Sequence, residues 1–141
     1  MILALLAFSA CGPSSSRPDG LNDFEEDFRE ANQSENIQSM LSLYHLEQAN
    51  ERTIQLLKGA LMNELGLPIS EITFDPLNGA PEETICFEHD GVAYGPSHQP
   101  EYRMSVYHAT EDGFTSRYTI GRIKSGEWKI LCSKPLPEPK L

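Results

Sequence analysis

Histidine is the side chain best suited to proton transfer or metal binding near neutral pH, and the chain carries four: His45, His89, His98 and His108. None stands at the spacing of a zinc motif such as HExxH, and no paired CxxC occurs. His89 precedes an Asp-Gly turn, where Asp is expected for its backbone geometry. The pattern predicts surface or packing roles for all four, with no metal site, no cofactor and no identifiable catalytic residue.

The most promising binding residues are two arginines on predicted strands, Arg103 and Arg117, each next to an aromatic residue. They could meet an anionic ligand at an open sheet face, or they could pair with nearby acids. Together with Tyr118 and Trp128 they form the candidate pocket lining, although core filling is the usual role of such aromatic residues. The sequence has neither the G-x-S-x-G motif of serine hydrolases nor a phosphate-binding glycine loop.

The composition limits the partners that this chain can bind. Its 141 residues are enough for one domain with a hydrophobic core, and a 39% hydrophobic and 23% charged content is typical of a globular protein. Acidic residues outnumber basic ones by 21 to 11, which gives a net charge of -10. This charge repels nucleic-acid phosphates and anionic lipid surfaces, so we expect no nucleic-acid binding.

The N-terminus carries the clearest signal in the sequence. Its first eight residues are apolar, too few to span a bilayer, which needs about 20. Two small residues and Cys11 follow, as at the cleavage point of an exported protein. The tetrad Phe8-Ser9-Ala10-Cys11 resembles the lipobox of bacterial lipoprotein signal peptides, although Phe8 stands where that family usually has an aliphatic residue.

The resemblance implies that the thiol of Cys11 is diacylglycerated, that the signal peptide is cut just before it, and that the new amine is acylated. Two or three acyl chains then anchor the protein stably in a membrane. The implied location is the bacterial cell envelope, and Gly12 after the cysteine favours the outer membrane or the periplasmic face. The alternatives are an ordinary cleaved signal and the first turn of a buried helix.

The predicted organisation has four parts, which are a signal peptide at 1–10, the lipidated cysteine and a flexible tether at 11–22, a single domain at 23–133, and a Pro-rich, extended and largely free tail at 134–141. Export would leave Cys86 and Cys132 as an even pair in an oxidising compartment. Either the two cysteines form a disulfide, or each remains a free thiol that packs as a small buried hydrophobic residue.

Helical spacing dominates the first half of the domain and strand spacing the second. Asp23 is the expected N-cap of a first helix and Ser34 that of a second, which runs through Tyr44. A third helix starts near Asn50 and ends at Gly66. Alternating segments and turns then predict an antiparallel meander, with hairpins at residues 89–91 and 111–113. The class is therefore α+β, with N-terminal helices packed on a curved antiparallel sheet of about five or six strands.

Three segments of the domain carry a family resemblance. They are the helical start Phe24-x3-Phe28-x2-Ala31, the segment Met40-Leu41-x-Leu43-Tyr44, and the closing Gly126-Glu127-Trp128-Lys129-Ile130. Together they look like the nuclear-transport-factor-2-like superfamily, including its SnoaL-like members. The resemblance implies a cone-shaped fold, often with an apolar pocket, and in some members a dimer formed through the sheet. Members that catalyse use an Asp and His pair, which we cannot align to particular residues of this chain.

These observations favour a membrane-anchored lipoprotein whose small acidic domain binds a small apolar ligand or an envelope protein, without identifiable catalysis. One alternative is a small pocket enzyme, a SnoaL-like isomerase, dehydratase or hydrolase. A structural envelope protein that works through assembly, for example as a homodimer, is the other.

Overall fold

The computed structural model describes residues 17–79 and 86–138. The first helix, α1 (Leu21–Gln33), begins three residues earlier than the sequence predicts, because Gly20 rather than Asp23 is its N-cap. Asp23 lies in the first turn, where its negative charge is favourable beside the exposed backbone N–H groups. Leu21, Phe24 and Phe28 recur at helical spacing and are buried, so α1 packs along one continuous stripe.

The second helix is much shorter than the sequence suggests. It comprises only α2 (Ile37–Leu41), and its N-cap is Asn36, whose side chain accepts hydrogen bonds from two backbone amides. Ser34, the predicted cap, instead follows the last residue of α1. The chain then forms the short strand β1 (Tyr44–His45), which was expected to be helical.

The third helix, α3 (Glu51–Glu64), begins where predicted. Asn50 is its N-cap, and its Oδ1 accepts from the backbone N–H of Thr53 at 2.9 Å. After Leu65 the chain turns at Gly66, whose φ of 84° is costly for any residue with a Cβ. This confirms the predicted position of the break.

The strands form two sheets rather than the single antiparallel sheet that the sequence predicts. The first has the order β1-β7-β6-β5-β2, in which β1 pairs with β7 in parallel and the other pairs are antiparallel. Its longer strands are β2 (Ile69–Pro76), β5 (Tyr102–His108), β6 (Thr115–Arg122) and β7 (Trp128–Leu131). The second sheet has the order β3-β4-β8, with β3 (Phe87–His89), β4 (Val92–Pro96) and β8 (Ser133–Pro135).

The division into two sheets occurs at Cys132. After β7 the chain leaves β6, and β8 pairs with β4. Lys134 and Pro135 therefore belong to a paired strand, and the next residue, Leu136, donates its N–H to Ala93. The predicted domain end at residue 133 is thus too early. The hairpin at residues 89–91 is confirmed, since Asp90 and Gly91 have the positive φ values that a tight turn between β3 and β4 requires.

The hydrophobic core lies between one face of the five-stranded sheet and the helices. The sheet contributes alternate residues such as Met104, Val106 and Ile120, each fully buried, and α1 covers them. Within the described residues, no helix is long and apolar enough to cross a membrane.

Candidate functional site

A cleft of about 350 Å³ lies between α3 and β6, and we call it the α3–β6 cleft. Aliphatic residues of α3 and β7, among them Leu57, Leu61 and Ile130, form its walls. Its polar lining residues are Tyr44, Glu64, Arg103, Arg117, Tyr118, Thr119 and Cys132. Its volume is in the range of ligand sites, roughly 300 to 1,000 Å³.

The cleft exists because the sheet opens beside β6. Within the described residues, β7 pairs with β6 only from Ile120 to Arg122, so the first half of β6 pairs with β5 alone. The chain that would continue the pairing instead passes through Cys132 into β8. Side chains from both faces of β6 consequently line one cleft, with Tyr118 on the core face and Arg117 on the opposite face.

The acid of the cleft, Glu64, is held by two fixed hydroxyl groups. The hydroxyl of Tyr118 donates to its Oε2 at 2.6 Å, and that of Ser116 donates to the same oxygen at 3.2 Å. Nε2 of His108, which is buried in the core, lies 3.2 Å from the Ser116 oxygen. Because the one hydroxyl proton of Ser116 points to Glu64, the Ser116 oxygen can only accept at this contact, so Nε2 of His108 is the donor.

Burial keeps two tyrosines of the cleft protonated. Desolvation, then the neighbouring Tyr44, then Glu64 raise the pKa of Tyr118 far above its ordinary value. Desolvation, followed by the charges of Glu64 and Cys132, raises the pKa of Tyr44 in the same way. Both phenols are therefore neutral hydrogen-bond donors at physiological pH, with no tendency to ionise.

The thiol of Cys132 is also in an environment that disfavours its charged form. Desolvation raises its pKa, and its Sγ donates to the backbone carbonyl of His45 at 3.0 Å. A thiol with a raised pKa is a weak nucleophile, since the thiolate is the reactive species. Cys132 thus contributes soft, uncharged surface to the cleft.

The two arginines of the cleft, Arg103 and Arg117, lie on the adjacent strands β5 and β6. Arg103 pairs in register with Thr119, and Ser105 pairs with Arg117, so the two arginines are diagonal neighbours on one face of the sheet. Arg117 is exposed and makes no ion pair with any other described residue. A planar guanidinium so placed can bind a carboxylate or phosphate with two parallel hydrogen bonds.

Of the residues predicted to line a pocket, the structure brings Arg103, Arg117 and Tyr118 together at the α3–β6 cleft. Trp128 is elsewhere. Its ring is buried at the start of β7, its Nε1 donates to the carbonyl of Asp19 at 2.9 Å, and the guanidinium of Arg122 lies 4.9 Å above it. Trp128 therefore secures the start of α1 to the sheet.

The predicted cysteine sites have different outcomes. Cys11, the predicted lipidation site, lies outside the described residues. Cys86 and Cys132 are free thiols, Cys86 exposed at the start of β3 and Cys132 partly buried against His45, so the disulfide left open by the sequence is not formed in this structure.

Two cleft residues were missed by the sequence reasoning, Tyr44 and Glu64. Tyr44 was assigned to a helical stripe. Glu64 had a usable signal, because Leu57, Leu61 and Glu64 follow the i, i+4, i+7 spacing of one helix face. An acid on an apolar stripe is a reason to look for a buried hydrogen-bond partner.

A second pocket of about 400 Å³ adjoins the cleft, and we call it the β3–β4 pocket. It lies between α3 and the three-stranded sheet, and Leu56, Phe87 and Tyr94 are among its lining residues. Leu57 and Cys132 line both this pocket and the α3–β6 cleft.

The other histidines do not join the cleft. The rings of His45 and His98 pack edge to face at 5.8 Å between centroids, next to Glu47, whose carboxylate lies 3.5 Å from Nε2 of His45. His89 is partly exposed in the β3–β4 turn. Among the described residues, no group of three or more His, Cys, Asp or Glu side chains could hold a metal ion.

No protein-family model matches this chain, and no curated protein matches it. Among solved structures it is similar to a nuclear transport factor 2 (NTF2-like) superfamily protein from Salmonella enterica subsp. enterica serovar Typhimurium str. LT2. The two share 12% sequence identity over 85% of this chain and 89% of the other, with a TM-score of 0.33. A TM-score of this size does not establish a shared fold.

Proposed function

We propose that this domain binds a small amphipathic anion in the α3–β6 cleft, and that Cys11 anchors it to a bacterial membrane. The observation that carries the binding proposal is the juxtaposition of Arg103 and Arg117 with the aliphatic walls formed by α3 and β7. Two adjacent guanidinium groups are notable in a chain whose net charge is -10.

The charges and hydrogen bonds of the cleft support an anionic ligand. Glu64 is the acid there, and the hydroxyls of Tyr118 and Ser116 already occupy one of its oxygens. Within residues 17–79 and 86–138, no hydrogen bond occupies the exposed guanidinium of Arg117, so its N–H donors can serve a ligand. An anion at the arginine end and an apolar body against Leu57 and Leu61 would match both parts of the lining.

We also infer that the domain is a variant of the NTF2-like cone. The support comes from the segments that resemble that superfamily, the helical start at Phe24 and Phe28 and the closing strand at Trp128. Cone members often hold an apolar pocket, and the α3–β6 cleft is a pocket between a helix and a sheet. An experimental structure whose sheets stack face to face as a sandwich would contradict this inference.

Binding can be tested with 8-anilinonaphthalene-1-sulfonate, a fluorescent probe with an apolar body and one sulfonate group. We expect the wild-type protein to bind it and Arg117→Ala to raise Kd about tenfold, as loss of a charge-assisted hydrogen bond predicts. Arg29→Ala is the matched control, because Arg29 is a partly exposed arginine on α1 that pairs with Glu25 and lies outside the cleft. Equal Kd values for the two variants would rule out anion binding at this site.

The anchor can be tested independently of the ligand. Cys11→Ser removes the thiol that would carry the diacylglyceryl group, so we expect the protein to move from the membrane fraction to the soluble fraction of bacterial cells. Mass spectrometry of the wild-type N-terminus should show cleavage before Cys11 and the added acyl mass. An unmodified, uncleaved Met1 would exclude the lipoprotein assignment.

One observation favours the second candidate, a small pocket enzyme. Glu64 lies in the cleft, and the hydroxyl of Ser116, which also contacts the buried His108, fixes its Oε2, so the carboxylate is positioned to act as a general base. Such an enzyme should speed exchange of the C3 protons of 2-oxohexanoate in D₂O, and Glu64→Gln should abolish the effect. Glu47→Gln, at an exposed acid, is the control. No acceleration by the wild-type protein would remove this candidate.

A further inference from the structure

We propose that the ligand is a single-chain acyl carboxylate that occupies the α3–β6 cleft and the β3–β4 pocket at once. This inference rests on the proposed binding function and extends it to a ligand class. In this arrangement the carboxylate binds Arg117, and the acyl chain runs along α3, past Leu57 and Cys132, to Phe87.

The first support is that the two pockets are neighbours along the same helix. Leu57 of α3 and Cys132, at the division between the sheets, line both of them. Neither residue places a charge at this junction, because Leu57 is aliphatic and burial raises the pKa of the Cys132 thiol. An apolar chain can therefore pass from one pocket to the other without desolvating a charged group.

The second support is the solvent-exposed apolar surface that lines the β3–β4 pocket. Leu56 is 65% exposed and Phe87 is 48% exposed, although both line this pocket. The Phe87 ring stacks on Tyr94 at 5.0 Å between centroids and 6° between planes, which makes a flat apolar wall. A bound chain would bury this surface and so remove apolar area from water, which favours binding.

The third support is the distribution of charge, which sets the direction of the ligand. Arg52 is the cation at the end of the proposed ligand site that lies in the β3–β4 pocket. It lies 3.4 Å from the carboxylate of Asp90, which partly neutralises its charge. At the cleft end, Arg117 makes no ion pair with any other described residue. A carboxylate is thus more favourable at the cleft end, and the apolar end of the ligand belongs at Phe87.

The packing of α3 is compatible with an internal chain. Leu61 is its one fully buried residue, although the helix has 14 residues. A helix that makes few buried contacts along its length can shift outward at low cost to admit a ligand beneath it.

The test is a chain-length series of octanoate, dodecanoate and hexadecanoate, each kept below its micelle concentration, competing with 8-anilinonaphthalene-1-sulfonate. For the wild-type protein we expect Kd to fall about threefold for each added methylene between octanoate and dodecanoate. Phe87→Ala should leave octanoate binding unchanged and should flatten the gain beyond it. Phe114→Ala is the control, because Phe114 is another exposed phenylalanine, 38% against 48% for Phe87, that lies on the β5–β6 connection and lines neither pocket. Dodecyltrimethylammonium, with the opposite charge, should not compete.

The outcomes separate the two levels of the proposal. If Arg117→Ala weakens all three acids but chain length has no effect, the proposed anion site stands and the acyl-chain extension is wrong. If chain length matters but Arg117→Ala has no effect, both the anion site and the direction of the ligand are wrong. A Phe114→Ala variant that flattens the series as Phe87→Ala does would also overturn the extension, since the effect would not be local.

Discussion

The two long helices differ in how they use their side chains. Of the 13 residues of α1, Leu21, Phe24, Phe28, Ala31 and Asn32 are buried. Of the 14 residues of α3, only Leu61 is buried, and Leu56 and Met62 are 65% and 75% exposed. The comparison indicates that α1 stabilises the fold, whereas α3 mainly covers the α3–β6 cleft and the β3–β4 pocket.

The ends of α3 are held better than its middle. Asn50 caps the N-terminus and also donates to the hydroxyl of Tyr94 at 3.1 Å, and Glu64 at the C-terminus accepts from Tyr118. Between them lies Gly59, with no heavy atom within 4 Å of the position that its Cβ would occupy. Glycine inside a helix costs about 1 kcal/mol relative to alanine, so the sequence itself weakens the middle of α3.

The largest expected effect tests the role of α1. Phe28 is 3% exposed and its ring packs edge to face on Tyr118 at 5.6 Å, so Phe28→Ala should lower the free energy of unfolding by about 3 to 5 kcal/mol. Leu56→Ala on α3 should change it by less than about 0.5 kcal/mol. Urea unfolding measures both values. Similar losses for the two variants would mean that α3 is as much a part of the core as α1.

The next effect tests the hydrogen bond that joins α3 to β6. Tyr118→Phe removes a donor to Glu64 and should cost about 1 to 2 kcal/mol near pH 8. The folded-state pKa of Tyr118 is raised above 10.0, so its contribution to stability is fully present below pH 10 and is lost as the pH rises from there. The decline of stability above pH 10 should therefore be shallower in Tyr118→Phe than in the wild-type protein.

Tyr107→Phe is the control for this pH dependence, since Tyr107 is 40% exposed on the neighbouring strand. It should follow the wild-type curve throughout. Urea unfolding between pH 8 and pH 11 gives the comparison. A Tyr118→Phe curve parallel to that of the wild type would show that the buried phenol does not contribute to the alkaline loss of stability.

A smaller effect should be confined to α3. Asn50→Ala removes the N-cap and the hydrogen bond to Tyr94, which together should destabilise the helix by about 1 kcal/mol. Amide hydrogen exchange should become faster in α3 and stay unchanged in α1. Faster exchange in both helices would mean that they open as one cooperative unit.

The smallest effect has the opposite sign. Gly59→Ala adds a methyl group in open space on a good helical position and should stabilise α3 by roughly 0.5 to 1 kcal/mol. Exchange in α3 should slow, again without change in α1. If exchange in α3 does not slow, glycine is not what weakens the middle of the helix.

Local patterns in the sequence were enough to predict several parts of the fold. The α+β class, the buried stripe of Phe24 and Phe28, the start of the third helix near Asn50 and the turn at Asp90 all depend on residues within a few positions of one another. Such features follow from backbone preference and side-chain period, which a single segment expresses by itself. The pocket residues Arg103, Arg117 and Tyr118 were selected in the same way, from their types and their strand context.

Only the tertiary structure decided the rest. The parallel pairing of Tyr44 and His45 with β7, the departure of the chain from β6 at Cys132, and the meeting of Glu64 with Tyr118 join residues far apart in sequence. Which strand edges meet depends on the packing of the whole chain. An unpaired backbone N–H or C=O group can hydrogen-bond with any strand that the fold places beside it. The α3–β6 cleft is a product of that choice, so no segment read alone could have revealed it.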